Sequence, residues 1–202
     1  MWYPRESLTH RLMRSFAIVL TLSALTFGAR PFQAQQPSAS RGTSFTFGLS
    51  RGAGALTCSY CTEASESGLS GIVGVETRFR PAVRLGLEGE WWMHSSNGTS
   101  QSVLAALPVM HFYATPSSAL FFKLGLGIGR YTASSDEEEL RTTALSAMVG
   151  AGYEFRLANR NALVPYVSWL RGGRGTMRLN GARVTPYSGL SLLQYGLAFS
   201  KR

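Results

Sequence analysis

Residues 119–131 read ALFFKLGLGIGRY, and their alternation decides the fold. Leu120, Phe122, Leu124, Leu126 and Ile128 fall on one face, and Phe121, Lys123, Gly125, Gly127, Gly129 and Tyr131 on the other. A two-residue period is that of a β-strand with one apolar face and one polar or glycine-rich face. Residues 83–94, VRLGLEGEWWMH, repeat the pattern. Val83, Leu85, Leu87, Gly89, Trp91 and Met93 share one face; Arg84, Gly86, Glu88, Glu90, Trp92 and His94 share the other.

Working outward, eight such segments are predicted, at 44–54, 70–80, 83–94, 102–113, 119–131, 143–156, 162–171 and 188–200, separated by Gly, Pro, Ser, Asn or Asp clusters. Alternation alone fits a soluble barrel with its apolar face inward as well as a membrane barrel with that face outward. Connection lengths favour the membrane form. The links 81–82, 114–118 and 157–161 are short, whereas 55–69, 95–101, 132–142 and 172–187 are longer; short periplasmic turns and longer outer loops mark a transmembrane barrel. With the first strand running outward, aromatics collect at two levels. Phe45, Phe47, Phe79, Phe112, Tyr113, Phe121, Phe122, Tyr153, Phe155 and Phe199 fall at the inner rim, and Trp91, Trp92, Tyr131, Trp169 and Tyr187 at the outer, as expected where aromatic rings settle at membrane interfaces.

Composition agrees. The 202 residues are 45% hydrophobic and only 15% charged, too apolar for a disordered chain. After residue 30 there is no apolar run long enough for a helical span. The net charge of +9 is not organised into a basic helix or a nucleic-acid motif, so nucleic acid is set aside as a partner. Residues 15–29, SFAIVLTLSALTFGA, preceded by Arg11 and Arg14, form the apolar and charged regions of a secretory signal. The expectation is a cleaved signal peptide over 1–34, with Ala34 or Ala29 at the cleavage site and Met13 a better start, then a polar tail over 35–43 and a barrel over 44–202.

The last predicted strand, with Leu193, Tyr195, Leu197 and Phe199 alternating, resembles the closing strand of bacterial outer-membrane barrels; Ser200, Lys201 and Arg202 after the final aromatic depart from it. The whole of 44–202 resembles the small eight-stranded families typified by the transmembrane domain of outer-membrane protein A. The resemblance implies an all-β, eight-stranded antiparallel up-and-down barrel in the outer membrane, monomeric, surrounded by outer-membrane lipid and lipopolysaccharide, and inserted by the barrel-assembly machinery.

Polar-face positions include Glu76, Arg78, Arg84, Glu88, Glu90, Lys123, Glu154 and Arg156. Four acids and four bases predict a paired network, since buried charges persist only when compensated. Eight strands leave an interior that side chains nearly fill, with glycines making room. The expectation is a closed barrel with no large pore. Pro108 and Pro165 cannot donate to the ladder, so pairing should break there, and a lateral opening at either would favour a conduit or binder for small or apolar molecules.

Cys58-Ser-Tyr-Cys61 in the first outer link is read as a short-range disulfide, because an exported chain meets an oxidising compartment; a zinc site would need more ligands than His94 and His111 supply from opposite ends. No metal or other cofactor is expected. His94-Ser95-Ser96-Asn97 resembles the catalytic segment of lipid A 3-O-deacylases, which are also eight-stranded barrels; the likeness implies His94 as base and Ser96 as nucleophile. The departure is that no Glu or Asp lies between 95 and 135 to orient the histidine, and a serine needs an oriented base. The reading is a polar loop and a non-enzymatic barrel. An acidic run, Asp136, Glu137, Glu138 and Glu139, suits divalent cations, and a basic loop, Arg174, Arg178 and Arg183 with Arg171 at its base, suits lipid phosphates or a polyanion; the alternatives are that the two loops neutralise each other or are simply solvated.

Overall fold

The computed structural model describes residues 42–58 and 65–202, with the backbone alone at Cys58 and 185–187. Its strands are β1 (Thr43–Cys58), β2 (Ser65–Arg80), β3 (Val83–Ser96), β4 (Thr99–Tyr113), β5 (Leu120–Ser134), β6 (Glu139–Tyr153), the two-residue β7 (Phe155–Arg156), β8 (Asn161–Leu179) and β9 (Ala182–Lys201). Each sequential pair is antiparallel, and β9 returns to β1 from Phe45↔Lys201 to Cys58↔Ser188. Because β7 continues β6, the sheet is a closed barrel of eight staves. Closure removes the unpaired edge that an open sheet would expose.

The short break between β6 and β7 has a local cause. The β6–β8 ladder ends at Gly152↔Tyr166 and the β7–β8 ladder resumes in register at Phe155↔Leu163, leaving Pro165, which has no N–H, in the gap. Pro108 does the same to the β4–β5 ladder, which stops at Ala106↔Ile128 and restarts in the same register at Val109↔Gly125. Both prolines interrupt pairing as anticipated. Neither parts the staves, so the lateral opening that would have favoured a conduit is not supported.

The wall is inverted relative to a soluble barrel. Leu145 and Leu126 are 73% and 68% exposed on the outside, with Phe45, Leu104 and Ile128 also bare, while Glu90 and Trp92 are fully buried inside. Large apolar groups outside and charges inside are the arrangement that hydrocarbon, not water, stabilises. Four aromatics assigned above to the rims, Trp92, Tyr113, Phe121 and Tyr131, instead point into the barrel. Each stands in phase with an inward neighbour, and in a strand phase fixes the side of the wall. The residues at the rims that stay exposed outward include Phe45, Phe47, Phe79, Phe122, Tyr153, Phe155, Phe199 and Trp169.

The outer links also differ from expectation. What reads as loops at 95–101, 132–142 and 172–187 is mostly ladder. β3 and β4 meet at Asn97-Gly98 (φ 51° and 76°), and β8 and β9 at Asn180-Gly181 (φ 48° and 84°). Two positive φ values in a two-residue link make the turn whose twist matches the flanking strands. The physical reason is that the staves continue beyond the lipid. There the outward face meets water instead of hydrocarbon, so the apolar alternation fades while hydrogen bonding continues without leaving a hydropathy signal.

Candidate functional site

In the inner half of the lumen, Glu76 of β2 accepts hydrogen bonds at Oε1 from Ser44 Oγ (2.9 Å) and Arg84 Nη1 (2.7 Å). His111 Nδ1 lies 2.7 Å from its Oε2. Arg84 Nη1 also donates to Glu154 Oε1 (2.9 Å), which accepts from Tyr113 Oη (2.7 Å) as well; Arg202 holds the other oxygen of Glu154. Arg84 stacks over the Tyr113 ring at 4.6 Å. Ladder register brings these together, since Glu76 faces Gly86 on β3 and Arg84 faces His111 on β4. Gly86 is needed: a Cβ there would lie 2.9 Å from that of Glu76. One layer further out, Lys123 pairs with Glu88 and lies 3.9 Å from Glu90 Oε1, which accepts from Ser168 Oγ at 3.1 Å. A Cβ at Gly150 would come within 2.8 Å of Lys123 Cε. Buried charges in this geometry hold the staves in register and leave little freedom to move.

The structure therefore brings together Glu76, Arg84 and Glu154, and separately Lys123, Glu88 and Glu90. Arg78 and Arg156 join neither cluster. Arg78 is half-buried with no ion pair among the described residues, and Arg156 Nη2 reaches the carbonyls of Ser117 and Ser118 in the β4–β5 connection at 3.4 and 3.5 Å. Sequence reading missed Ser44, His111, Tyr113 and Arg202 as partners. His111 and Tyr113 are in phase with the inward face of β4; Arg202 lies past the last aromatic, where it looks like a departure from the closing-strand pattern.

The outer half of the lumen is largely apolar, with Ser70, Thr142 and Ser146 also buried there. Trp92, Val103, Leu107, Val109, Met148, Leu170, Leu190 and Leu192 form an apolar plug. Trp92 is seated by glycines: a Cβ at Gly54 would lie 2.8 Å from the indole ring, and Nε1 donates to the Gly52 carbonyl at 3.2 Å. Below it, Ile72, Tyr113, Phe121, Val164 and Tyr166 form a second apolar layer. An inner void beside Glu88, Lys123 and Tyr166 measures about 30 Å³, room for water but for nothing larger.

At the outer rim, His94 Nδ1 lies 2.8 Å from the Ser67 carbonyl oxygen and Nε2 3.6 Å from Glu66 Oε2, with the ring stacked on Trp92. Both ring nitrogens are thus turned to β2, and exposed Ser96 makes no hydrogen bond to His94 among the described residues. Glu66 is a carboxylate partner that sequence spacing could not show, because it comes from the neighbouring stave. The Cys58–Cys61 pairing lies outside the described residues.

Asp136, Glu137 and Glu138 lie in the β5–β6 turn, and Glu139 opens β6, where it pairs with Arg141. No cluster of three metal-ligating side chains occurs among the described residues. Arg171, Arg174 and Arg178 lie on β8 and Arg183 on β9, not on a loop; Arg174 (φ 56°) sits in a bulge where the β8–β9 register shifts. Two hydrogen bonds join the neighbouring tips: Asn180 N donates to the Glu139 carbonyl and Glu139 N to the Asn180 side-chain Oδ1, each at 2.8 Å.

No family model matches the chain. No curated protein matches it either. Solved structures do. Neisserial surface protein A aligns at 13% identity and TM-score 0.57 over 79% of this chain and 98% of that one. Ail, the attachment invasion locus protein of Yersinia pestis, solved with the heparin analogue sucrose octasulfate, aligns at 11% identity and TM-score 0.51 over 78% of this chain and 98% of that one. The fold is that of the small eight-stranded outer-membrane barrels, and the apolar outer wall places this chain in the same setting.

Proposed function

We propose that this protein is a non-enzymatic barrel of the bacterial outer membrane, acting as a structural or surface-interaction protein through the outer ends of its staves. The observation that carries this reading is the filled lumen. A charge-paired inner half and an apolar outer half leave no through-passage among the described residues, so the groups free to meet other molecules are those beyond the lipid on the outer hairpins. An epitope inserted after Gly181 is expected to be labelled on intact cells, and one inserted between Pro81 and Ala82 only after permeabilisation. The reverse pattern would overturn the assignment of the outer end.

Two further outcomes separate this from the other readings. In planar bilayers the purified protein is expected to give no stable conductance, because ions would have to cross both the Trp92 layer and the Lys123–Glu88 layer; a persistent channel admitting sugars would show the conduit reading to be right. Incubation with lipopolysaccharide is expected to release no 3-O-linked acyl chain, and Ser96→Ala to change nothing. The His94 nitrogens face β2, and a serine without a base beside it is a weak nucleophile. Acyl release that disappears in Ser96→Ala would establish the deacylase.

A further inference from the structure

Five arginines lie on β5, β6, β8 and β9 beyond the apolar wall, Arg130 and Arg171 two residues past the last exposed apolar residue of their staves and Arg141, Arg178 and Arg183 further out. On β5, Leu124, Leu126 and Ile128 are exposed to lipid and Arg130 follows in phase. On β6, Leu145 is followed outward by Thr143 and Arg141, and on β8, Trp169 by Arg171. At about 3.4 Å of rise per residue, each first polar group stands within roughly 7 Å of the last apolar one.

Register places like charges side by side. Arg141 is directly opposite Arg178, and Arg178 directly opposite Arg183, so three guanidinium groups form one row across β6, β8 and β9. Like charges opposite one another destabilise a sheet. Among the described residues only Arg141 of this row has a carboxylate partner, Glu139; none of Asp136, Glu137 and Glu138 forms an ion pair with the row. Arg130, Arg141 and Arg178 also enclose a concave pocket of about 400 Å³, with Thr143, Thr176 and Glu139 in its wall. Thr143 and Thr176 are themselves in register, and Arg130 stands opposite Thr143.

We propose that this pocket binds the phosphate of an outer-leaflet lipid. Three arginines supply forked donors suited to phosphate oxygens, the two threonines supply hydroxyl donors, and the exposed Leu126, Ile128 and Leu145 continue below as a track for acyl chains. The anion relieves the repulsion along the arginine row. A soluble anion would gain the same charge contacts without the apolar track, which is why a lipid is the occupant. The inference goes beyond the surface role proposed above and rests only on the barrel spanning the membrane.

The test uses the full chain refolded in neutral detergent, with native mass spectrometry counting retained lipid. The probes are diphosphoryl lipid A, its dephosphorylated form, and inorganic phosphate. One diphosphoryl lipid A per barrel is expected to be retained, with about tenfold or greater weakening on dephosphorylation and in the triple variant Arg130→Gln/Arg141→Gln/Arg178→Gln. The charge-matched inner-rim variant Arg80→Gln/Arg160→Gln/Lys201→Gln is expected to bind as the parent does, and inorganic phosphate not to compete at lipid concentrations. Equal retention with and without the phosphates, unchanged binding in the triple variant, equal loss in the inner-rim variant, or full competition by inorganic phosphate would each overturn the proposal. Heat-modifiable gel migration of every variant separates loss of the barrel from loss of the site; should the triple variant not fold, the comparison of the two lipid A forms on the parent decides.

Discussion

Arg84→Met is expected to destabilise the barrel by about 3–5 kcal/mol, read as a drop in the urea midpoint in detergent and in the temperature of the gel shift. The size follows from what the substitution leaves behind. Arg84 Nη1 is shared between Glu76 and Glu154, both buried. Removing the guanidinium leaves Glu154 with Arg202 alone and Glu76 with His111 alone as ion-pair partners inside the wall. The companion experiment is the set Arg84→Met/Glu76→Gln/Glu154→Gln, which is expected to recover more than half of the loss, because no buried carboxylate then lacks its cation and the partly exposed Arg202 can turn to water. If Arg84→Met unfolds at the parent's midpoint, the network contributes nothing and the barrel is held by its ladder and apolar layers alone.

Gly127→Val is expected to be the most damaging single substitution on β5, at about 3 kcal/mol or more and with poor recovery of the heat-modifiable form. A Cβ at this position would lie 2.1 Å from the Ala106 carbonyl oxygen and 2.8 Å from Leu107 Cα. Both are backbone, so no rotamer change relieves the overlap. The position lies opposite the break that Pro108 makes in the β4–β5 ladder. Gly173→Ala supplies the contrast: nothing lies within 4 Å of a Cβ there, and little change is expected. Equal behaviour of the two variants would mean that β4 can shift away from β5 without cost.

These two positions show how far the sequence carries. The alternation in 83–94 and 119–131 is sufficient to set strand, face and barrel, because a period of two places every side chain on one side of the wall. It places Arg84, Glu88 and Lys123 inside and Leu124 and Leu126 outside. What it cannot supply is which inward residues meet, since that depends on register between staves. His111 and Glu66 become partners of Glu76 and His94 only once β4 is set against β3 and β2 against β3. Trp92 was placed at the outer rim by its position along β3, whereas its phase and the space left by Gly52 and Gly54 seat it in the lumen. The outer hairpins read as loops in the sequence because Ser, Thr and Arg above the lipid carry no hydropathy contrast. The same blindness hid the arginine row: Arg178 and Arg183 are near in sequence, but Arg141 joins them only across a ladder.

Arg202, just past β9, clasps Glu154, which already holds Arg84 and through it Glu76. The clasp therefore spans β2, β3 and the β6–β7 stave, and because its Arg84–Glu154 bridge crosses the lumen, the full set forms only as the sheet curls shut and β9 meets β1, a pairing that joins positions as distant as Phe45 and Lys201. Such long-range closure is slow in any chain. A half-wound sheet would carry these carboxylates without their full set of cations, at a penalty that a finished ring does not bear. Partly assembled forms are thereby disfavoured as resting states, and the transition between open sheet and sealed cylinder becomes all-or-none, with the last stave acting as its own proofreader.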